Sequence, residues 1–230
     1  MSPAADGAGE HFADRREAGR RLAVRLSSYA GMHDAVVLGL PRGGVPVAYE
    51  IAVALRLPLD VFLVRKLGVP GQPELAMGAI GSGDALYINH DVVSALRIPK
   101  DVVASVAERE RTELLKRETL LRGDRARPQI ERKTVILVDD GLATGASMHA
   151  AVTALRPQRP AKIAVAVPVA PMQSCDDLRL EADDVVCLLT PSSFYAVGSW
   201  YDDFRQVEDD DVRDLVNRAA RNVDDPPVTS

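Results

Sequence analysis

The chain has 230 residues, 47% of them hydrophobic, which is enough to build one domain with a substantial core, with or without a small appendage. Its 28 Lys and Arg stand against 33 Asp and Glu, so the net charge of -5 gives no overall field to gather nucleic acid or an anionic membrane, and any anion site must be local. Cys175 and Cys187 lack a second pair and His11, His33, His90 and His149 are scattered, which argues against a Cys/His metal cluster and fits a reduced, cytoplasmic protein.

Residues 1–10 are small, polar and acidic, unlike a secretory signal, and the Pro-rich tail 224–230 is polar, so both ends are expected to be disordered around a single domain at 11–223. No run approaches the roughly 18 apolar residues of a membrane helix. Ala18, Leu22, Leu26 and Tyr29 recur at helical spacing and predict an amphipathic helix over Phe12 to Tyr29. Ala35 to Leu40 is a short apolar run, read as a buried strand, then Pro41-Arg42-Gly43-Gly44 as a tight loop and Val45 to Leu55 as a helix. Leu59 to Val64 repeats the strand pattern, and Leu67 to Pro73, with two glycines and two prolines, is expected to be a loop.

Ala76 to Ile80 and Ala85 to Ile88 read as a hairpin, and Lys100 to Arg122 as a long charged helix. Thr134 to Val138 is the clearest buried strand and Ser147 to Leu155 the helix after it. Ile163 to Val167 and Val185 to Leu189 are further strands, with a polar helix near Ser174 to Glu181 between them. Strands alternating with helices predict an α/β fold, a mainly parallel sheet with helices on both faces.

The most informative segment is Val135 to Met148. Four apolar residues deliver Asp139 and Asp140 to the carboxyl end of a strand, where open α/β sheets bind their ligands. The turn then supplies Gly141, Leu142, Ala143, Thr144, Gly145, Ala146 and Ser147, whose backbone N–H groups and hydroxyls can close on an anion at the start of the next helix. Two carboxylates beside a phosphate nest repel phosphate and must face something else. Sugar hydroxyls donate to carboxylates and a hard divalent cation prefers oxygen, so a ribose phosphate with magnesium meets both requirements. The alternative is a generic strand-to-helix corner with a solvated Asp pair.

This segment resembles the signature of the type I phosphoribosyltransferases. The resemblance implies 5-phosphoribosyl 1-diphosphate as donor and Mg2+ as cofactor, with Asp139 and Asp140 on the ribose hydroxyls or on the metal through water, and Ala143 to Ser147 around the 5'-phosphate. By the same resemblance Arg42, Gly43 and Gly44 fall in the diphosphate loop, with a non-proline peptide bond of unusual geometry. Arg65 and Lys66 would then neutralise the leaving diphosphate, and Leu67 to Pro73 would be the loop that closes over the reaction. Against these stand a plain surface turn at Pro41 to Gly44 and a solvated strand end at Arg65 and Lys66.

Ala143 occupies the place where the 6-oxopurine enzymes of that family carry a third acidic residue, and Glu74 at the end of the closing loop is the candidate acid/base group in its stead. Four of the nine Phe and Tyr residues and the only Trp lie between Phe194 and Phe204. This resembles a small C-terminal hood around 190–206, with Phe194 and Tyr195 for base stacking, Val197 for backbone contact and Trp200 for packing or contact in a homo-oligomer. The catalytic set is then Glu74, Lys66, Arg65 and Asp140. The partners are the donor and a small-molecule nitrogen acceptor, most simply a nucleobase, with neither nucleic acid nor membrane. A protein that only senses the donor, without turnover, is the alternative.

Overall fold

A computed structural model of the protein describes residues 11–224 except Asp84 and Asp124, so the expectations for residues 1–10 and 225–230 lie outside the described residues, while Asp224, expected in the tail, is the last residue of a helix. In chain order the elements are α1 (Arg15–Arg25), β1 (Ala35–Gly39), α2 (Gly44–Leu55), β2 (Leu59–Val61), β3 (Val64–Val69), β4 (Gln72–Gly81), β5 (Ala85–Ile88), α3 (His90–Ala95) and α4 (Lys100–Arg122). They continue with β6 (Thr134–Val138), α5 (Ala146–Leu155), β7 (Lys162–Val169), α6 (Met172–Arg179), β8 (Asp184–Leu189) and α7 (Asp209–Asp224).

Five strands form one parallel sheet in the order β2-β1-β6-β7-β8. The period of two along a strand divides each between the two faces. In β1, Val36 and Leu38 pack toward α5 and α6 with Met148, Val152, Leu155 and Leu178, whereas Ala35 and Val37 pack toward α1 and α2 with Leu22, Val47, Ile51 and Leu55. Apolar burial on both faces explains why β1 and β6 are continuous hydrophobic runs. Counted along the chain the order is second, first, third, fourth, fifth, so the connections diverge between β1 and β6. A crevice opens there at the carboxyl ends.

Beside this sheet, β3, β4 and β5 form an antiparallel sheet, packed through Leu67, Met77 and Ile80 against Leu114 and Leu121 of α4 and Val212 and Val216 of α7. The expected loop at Leu67 to Pro73 is corrected: it is the end of a β-hairpin, with Val69 paired to Gln72 across a two-residue tip, Pro70-Gly71. Gly71 has φ +81°, which the turn requires. Pro73, which has no N–H to give the ladder, sits where the register shifts between Gln72 and Ala76. The strand expected over Leu59 to Val64 is two strands in different sheets, joined by Phe62 and Leu63. The first helix begins at Arg15, not Phe12, because Asp14 accepts from the N–H of Glu17 and caps it, while Phe12 makes a parallel bridge to Tyr201.

A buried ion network ties α4 to the main sheet. Arg122 donates to Asp60 of β2 at 3.0 and 3.2 Å, to Glu118 at 2.9 Å and to the carbonyl of Val61 at 3.2 Å, and Arg127 closes the set on Glu118. Asp60, Glu118 and Arg122 are all buried. Burial raises the Asp60 pKa and Arg122 opposes that shift. Losing one partner of such a set leaves uncompensated charge in the interior, which typically costs about 3–5 kcal/mol. Arg122→Met should therefore lower stability by that order in urea unfolding followed by circular dichroism; a loss below about 1 kcal/mol would show that the network is not what holds α4.

Candidate functional site

At the crevice, β6 ends at Val138 and hands over Asp139 and Asp140, while β1 ends at Gly39 and hands over Leu40 to Gly43. The two loops touch. A Cβ placed on Gly43 would fall 1.9 Å from Oδ2 of Asp140, and one on Gly44 would fall 2.6 Å from the carbonyl oxygen of Val138 and 2.8 Å from Cα of Asp139. Both positions require glycine because the carboxylate pair and its backbone occupy the space a side chain would take. The Pro41–Arg42 peptide bond is cis, in keeping with the unusual geometry expected in this loop.

Asp140 is held from three directions. Arg15 of α1 donates from Nε to its Oδ2 at 2.8 Å, Tyr201 donates its hydroxyl to the Asp140 carbonyl at 2.6 Å, and the Asp140 N–H donates to Oδ1 of Asp139 at 2.9 Å. The Arg15 guanidinium lies 3.8 Å from the centroid of the Phe204 ring and also donates to the carbonyl of Arg205 at 2.9 Å, so it is clamped between the first helix and the C-terminal segment. Burial pushes the Asp139 carboxyl well above its ordinary value, and the neighbouring Asp140 charge adds to that. Burial raises Asp140 too, with Arg15 pulling the other way.

After the pair, Gly141 (φ +154°) packs so closely under Val197 that a Cβ would lie 2.5 Å from its Cγ1. Leu142 is buried and its N–H donates to the Val169 carbonyl at 2.9 Å. Ala143, Thr144, Ala146 and Ser147 are exposed. Gly145, at φ +72°, is the cap residue of α5 and has no side chain to cap it, while Thr144 Oγ1 accepts from the Ala146 N–H at 3.4 Å. The start of α5 therefore leaves most of its first-turn N–H groups without an acceptor from the cap residue, and Ser147 lines the crevice. Ser174 of α6 supports the turn from behind by donating to the Ala143 carbonyl at 3.1 Å.

A cleft of about 260 Å³ runs from this corner, lined by Leu40, Pro41, Phe62, Leu63, Val64, Arg65, Leu114, Arg117, Asp139 and Ser147. Arg65 thus joins the carboxylate and turn residues, and it donates to Glu110 of α4 at 2.6 Å. Arg42 stands beside the cleft with its guanidinium 3.4 Å from Glu208. Lys66 points elsewhere: it pairs with Glu74 across the hairpin at 3.2 Å, and the Glu74 side chain is 97% exposed. Neither lines the cleft.

Of the aromatic candidates, Phe194 and Val197 pack with Phe12, Val169 and Tyr201, whereas Tyr195 is 96% exposed. Sequence reasoning did not single out Arg15, Tyr201 or Arg117, whose partners lie 125, 61 and 92 positions away. It also passed over α7, whose buried Val212, Leu215, Val216 and Ala219 do carry the spacing of an amphipathic helix.

A parallel sheet with a carboxylate pair and the start of a helix at its switch point defines an α/β domain of the open-sheet class, whose members bind ligands at that place. The family model described as the phosphoribosyl transferase domain matches residues 12–204, and the chain belongs to that family. Two proteins of Mycobacterium tuberculosis, from strains CDC 1551 / Oshkosh and ATCC 25618 / H37Rv, are 45% identical over 211 residues and carry phosphoribosyl transferase as a provisional designation. The match takes in 92% of this chain and 47% of each of theirs, so the chain spans about half the length of these curated relatives. The crystal structure of TT1426 from Thermus thermophilus is 44% identical and superposes with a TM-score of 0.81, covering 90% of this chain and 98% of that one.

The raised carboxyls make a sign-definite expectation. A carboxyl whose folded pKa lies above its unfolded value of 3.8 loses stability as pH rises through that window, because ionisation is disfavoured in the native state. Asp139→Asn keeps an oxygen acceptor for the Asp140 N–H and removes the charge. Calorimetric melting at pH 7.5 should show the variant a few degrees above the parent, about 1 kcal/mol corresponding to roughly 2–4 °C in a domain of this size, with the gap closing toward pH 4. A variant that melts below the parent at neutral pH would refute this account of the pair.

Proposed function

We propose that this domain binds 5-phosphoribosyl 1-diphosphate with Mg2+ and transfers the phosphoribosyl group to a nitrogen acceptor, a nucleobase in the simplest case, releasing diphosphate. One observation carries the reading: the Asp139–Asp140 pair, the start of α5 at Ser147 and the Gly43–Gly44 loop meet within a single crevice. In this reading Ala143 to Ser147 receive the 5'-phosphate and Asp139 and Asp140 receive the ribose hydroxyls. Arg42, Gly43, Gly44 and Arg65 receive the diphosphate, and Lys66, paired with Glu74 outside the cleft, would join them only when the hairpin tip moves.

The donor set fits magnesium. Among the described residues no group of three or more His, Cys, Asp or Glu converges on one point, and magnesium characteristically takes one or two carboxylates, several waters and substrate phosphates instead of a protein cage. Asp139 and Asp140 would hold it through water, and the ion would offset the charge of the diphosphate. The bond from C1 of the ribose to the diphosphate oxygen breaks with its electron pair going to diphosphate, and the acceptor nitrogen adds from the opposite face. Its proton goes to Glu74, which requires the hairpin tip to swing over the crevice, since Glu74 stands 97% exposed. Phe194, Tyr195 and Val197, on the segment that packs over Gly141, would meet the base as a small hood.

Titration calorimetry should show magnesium-dependent donor binding, weakened by about 2 kcal/mol or more when Asp139→Asn and Asp140→Asn are combined, as expected for lost hydrogen bonds to charged groups. Unchanged affinity would overturn the assignment. A screen of free bases for diphosphate release then tests turnover. Glu74→Gln should leave donor affinity intact and slow the single-turnover chemical step at least about 30-fold, within the usual range of general-base help. Tight donor binding with no turnover on any base would favour a sensor over an enzyme.

A further inference from the structure

The inner face of α4 follows one line of residues, Glu110, Leu114, Arg117 and Leu121, at the three- and four-residue steps of a helix. Leu114 and Leu121 are buried in the apolar cluster beneath the hairpin. Arg117 stands between them, on a stripe where an apolar residue would be the ordinary choice, and it lines the cleft that also contains Asp139, Ser147 and Arg65. Its orientation is fixed from behind. Asp209, in the first turn of α7, accepts from both terminal nitrogens at 2.6 and 2.5 Å, and the same carboxylate lies 3.9 Å from Arg42.

A guanidinium has five N–H donors in one plane, and a fork-to-fork contact with a carboxylate uses two of them. The other donors belong to a side chain that is 37% exposed and lines the cleft. Arg65, which lines the same cleft, donates from Nε to Glu110 of α4 at 2.6 Å. Two planar cations from different elements, β3 and α4, therefore line one cleft that starts at the carboxylate pair and the Pro41–Arg42 loop. A single phosphate at the start of α5 does not call for a second arginine at this distance along the chain. A longer polyanion extending away from the carboxylates does.

Resting on the functional reading above, we propose that Arg117 is a further binding residue for the diphosphate group, lining the same cleft as Arg65 and held in place by Asp209. Its role is separate from that of the turn at Ala143 to Ser147, which takes the other phosphate of the same donor.

Calorimetry with three ligands in the presence of magnesium tests this: the donor, inorganic diphosphate and ribose 5-phosphate. Arg117→Ala should weaken donor and diphosphate about 10-fold or more, the scale of a lost charge-assisted contact, and change ribose 5-phosphate less than about twofold. Arg117→Lys, which keeps the charge but not the fork, should fall between parent and alanine. Lys116→Ala, which removes an exposed cation from the neighbouring position of the same helix, should match the parent. Unchanged diphosphate affinity in Arg117→Ala, or an equal loss for ribose 5-phosphate, would overturn the proposal while leaving the donor site standing. A parent protein that binds none of the three ligands would overturn the functional reading and this inference with it. Melting curves of all variants check that the fold is kept, and the lysine variant carries the test if alanine does not fold.

Discussion

Everything at the crevice depends on one steric contact, the backbone of Gly43 and Gly44 lying against Asp139 and Asp140. β1 and β6 are neighbours in register from Ala35 with Thr134 to Gly39 with Val138, so their outgoing loops leave the sheet side by side. Two loops leaving at the same height must share space. Here the share is settled by giving one strand no side chains and the other two carboxylates, with no room for a methyl group between Gly43 and Asp140. The cost is that Asp139 and Asp140 become half-buried acids next to each other, each pushed toward its neutral form. A site that needs them ionised must bring positive charge to them, and Arg15 does so at Asp140.

Four arginines around the crevice, of which Arg15 alone touches the pair, come from elements distant in sequence. Arg15 belongs to α1, Arg42 to the loop after β1, Arg65 to β3 and Arg117 to α4. Each is paired with a carboxylate that fixes its direction: Asp140, Glu208, Glu110 and Asp209. Such pairs at the surface add little stability. Their value lies in order, because a long side chain already held in one orientation loses less conformational freedom when a ligand arrives. The chain as a whole is acidic, so this concentration of arginines is local, and it depends on α4 being correctly seated. The buried Arg122, Asp60 and Glu118 set does that seating, one helical turn and a little more beyond Arg117.

How far this could be read from the sequence follows from how local each signal is. β6 over Thr134–Val138 and α4 over Lys100–Arg122 have the bounds expected from periodicity, since an apolar run between polar residues and a long charged stripe are self-contained patterns. The acid pair and its turn are equally legible because strand, carboxylates and helix start are consecutive. The hairpin tip is not: Gly and Pro at 68, 70, 71 and 73 announce a break, and only the pairing of Leu67 with Gly78 and Val69 with Gln72 reveals strands on either side of it. Arg15, Tyr201 and Arg117 are illegible for the same reason in stronger form. Each is an ordinary residue on an ordinary element, and what makes it part of the site is a partner brought near by the fold alone.

The two ends of the domain are drawn into this arrangement as well. Phe12 bridges to Tyr201, the rings of Phe12, Tyr201 and Phe204 stack at centroid distances of 5.4 and 5.0 Å, and Arg15 covers Phe204. Tyr201 then passes this packing on to the Asp140 carbonyl through its buried hydroxyl. Removing the aromatic cluster would therefore release two of the groups that hold Asp140, one by hydrogen bond and one by charge, without touching β6. Most rings of the segment that resembles a base-stacking surface are thus engaged in packing around the carboxylate pair. Tyr195, 96% exposed, is the one that keeps its whole face available to a ligand.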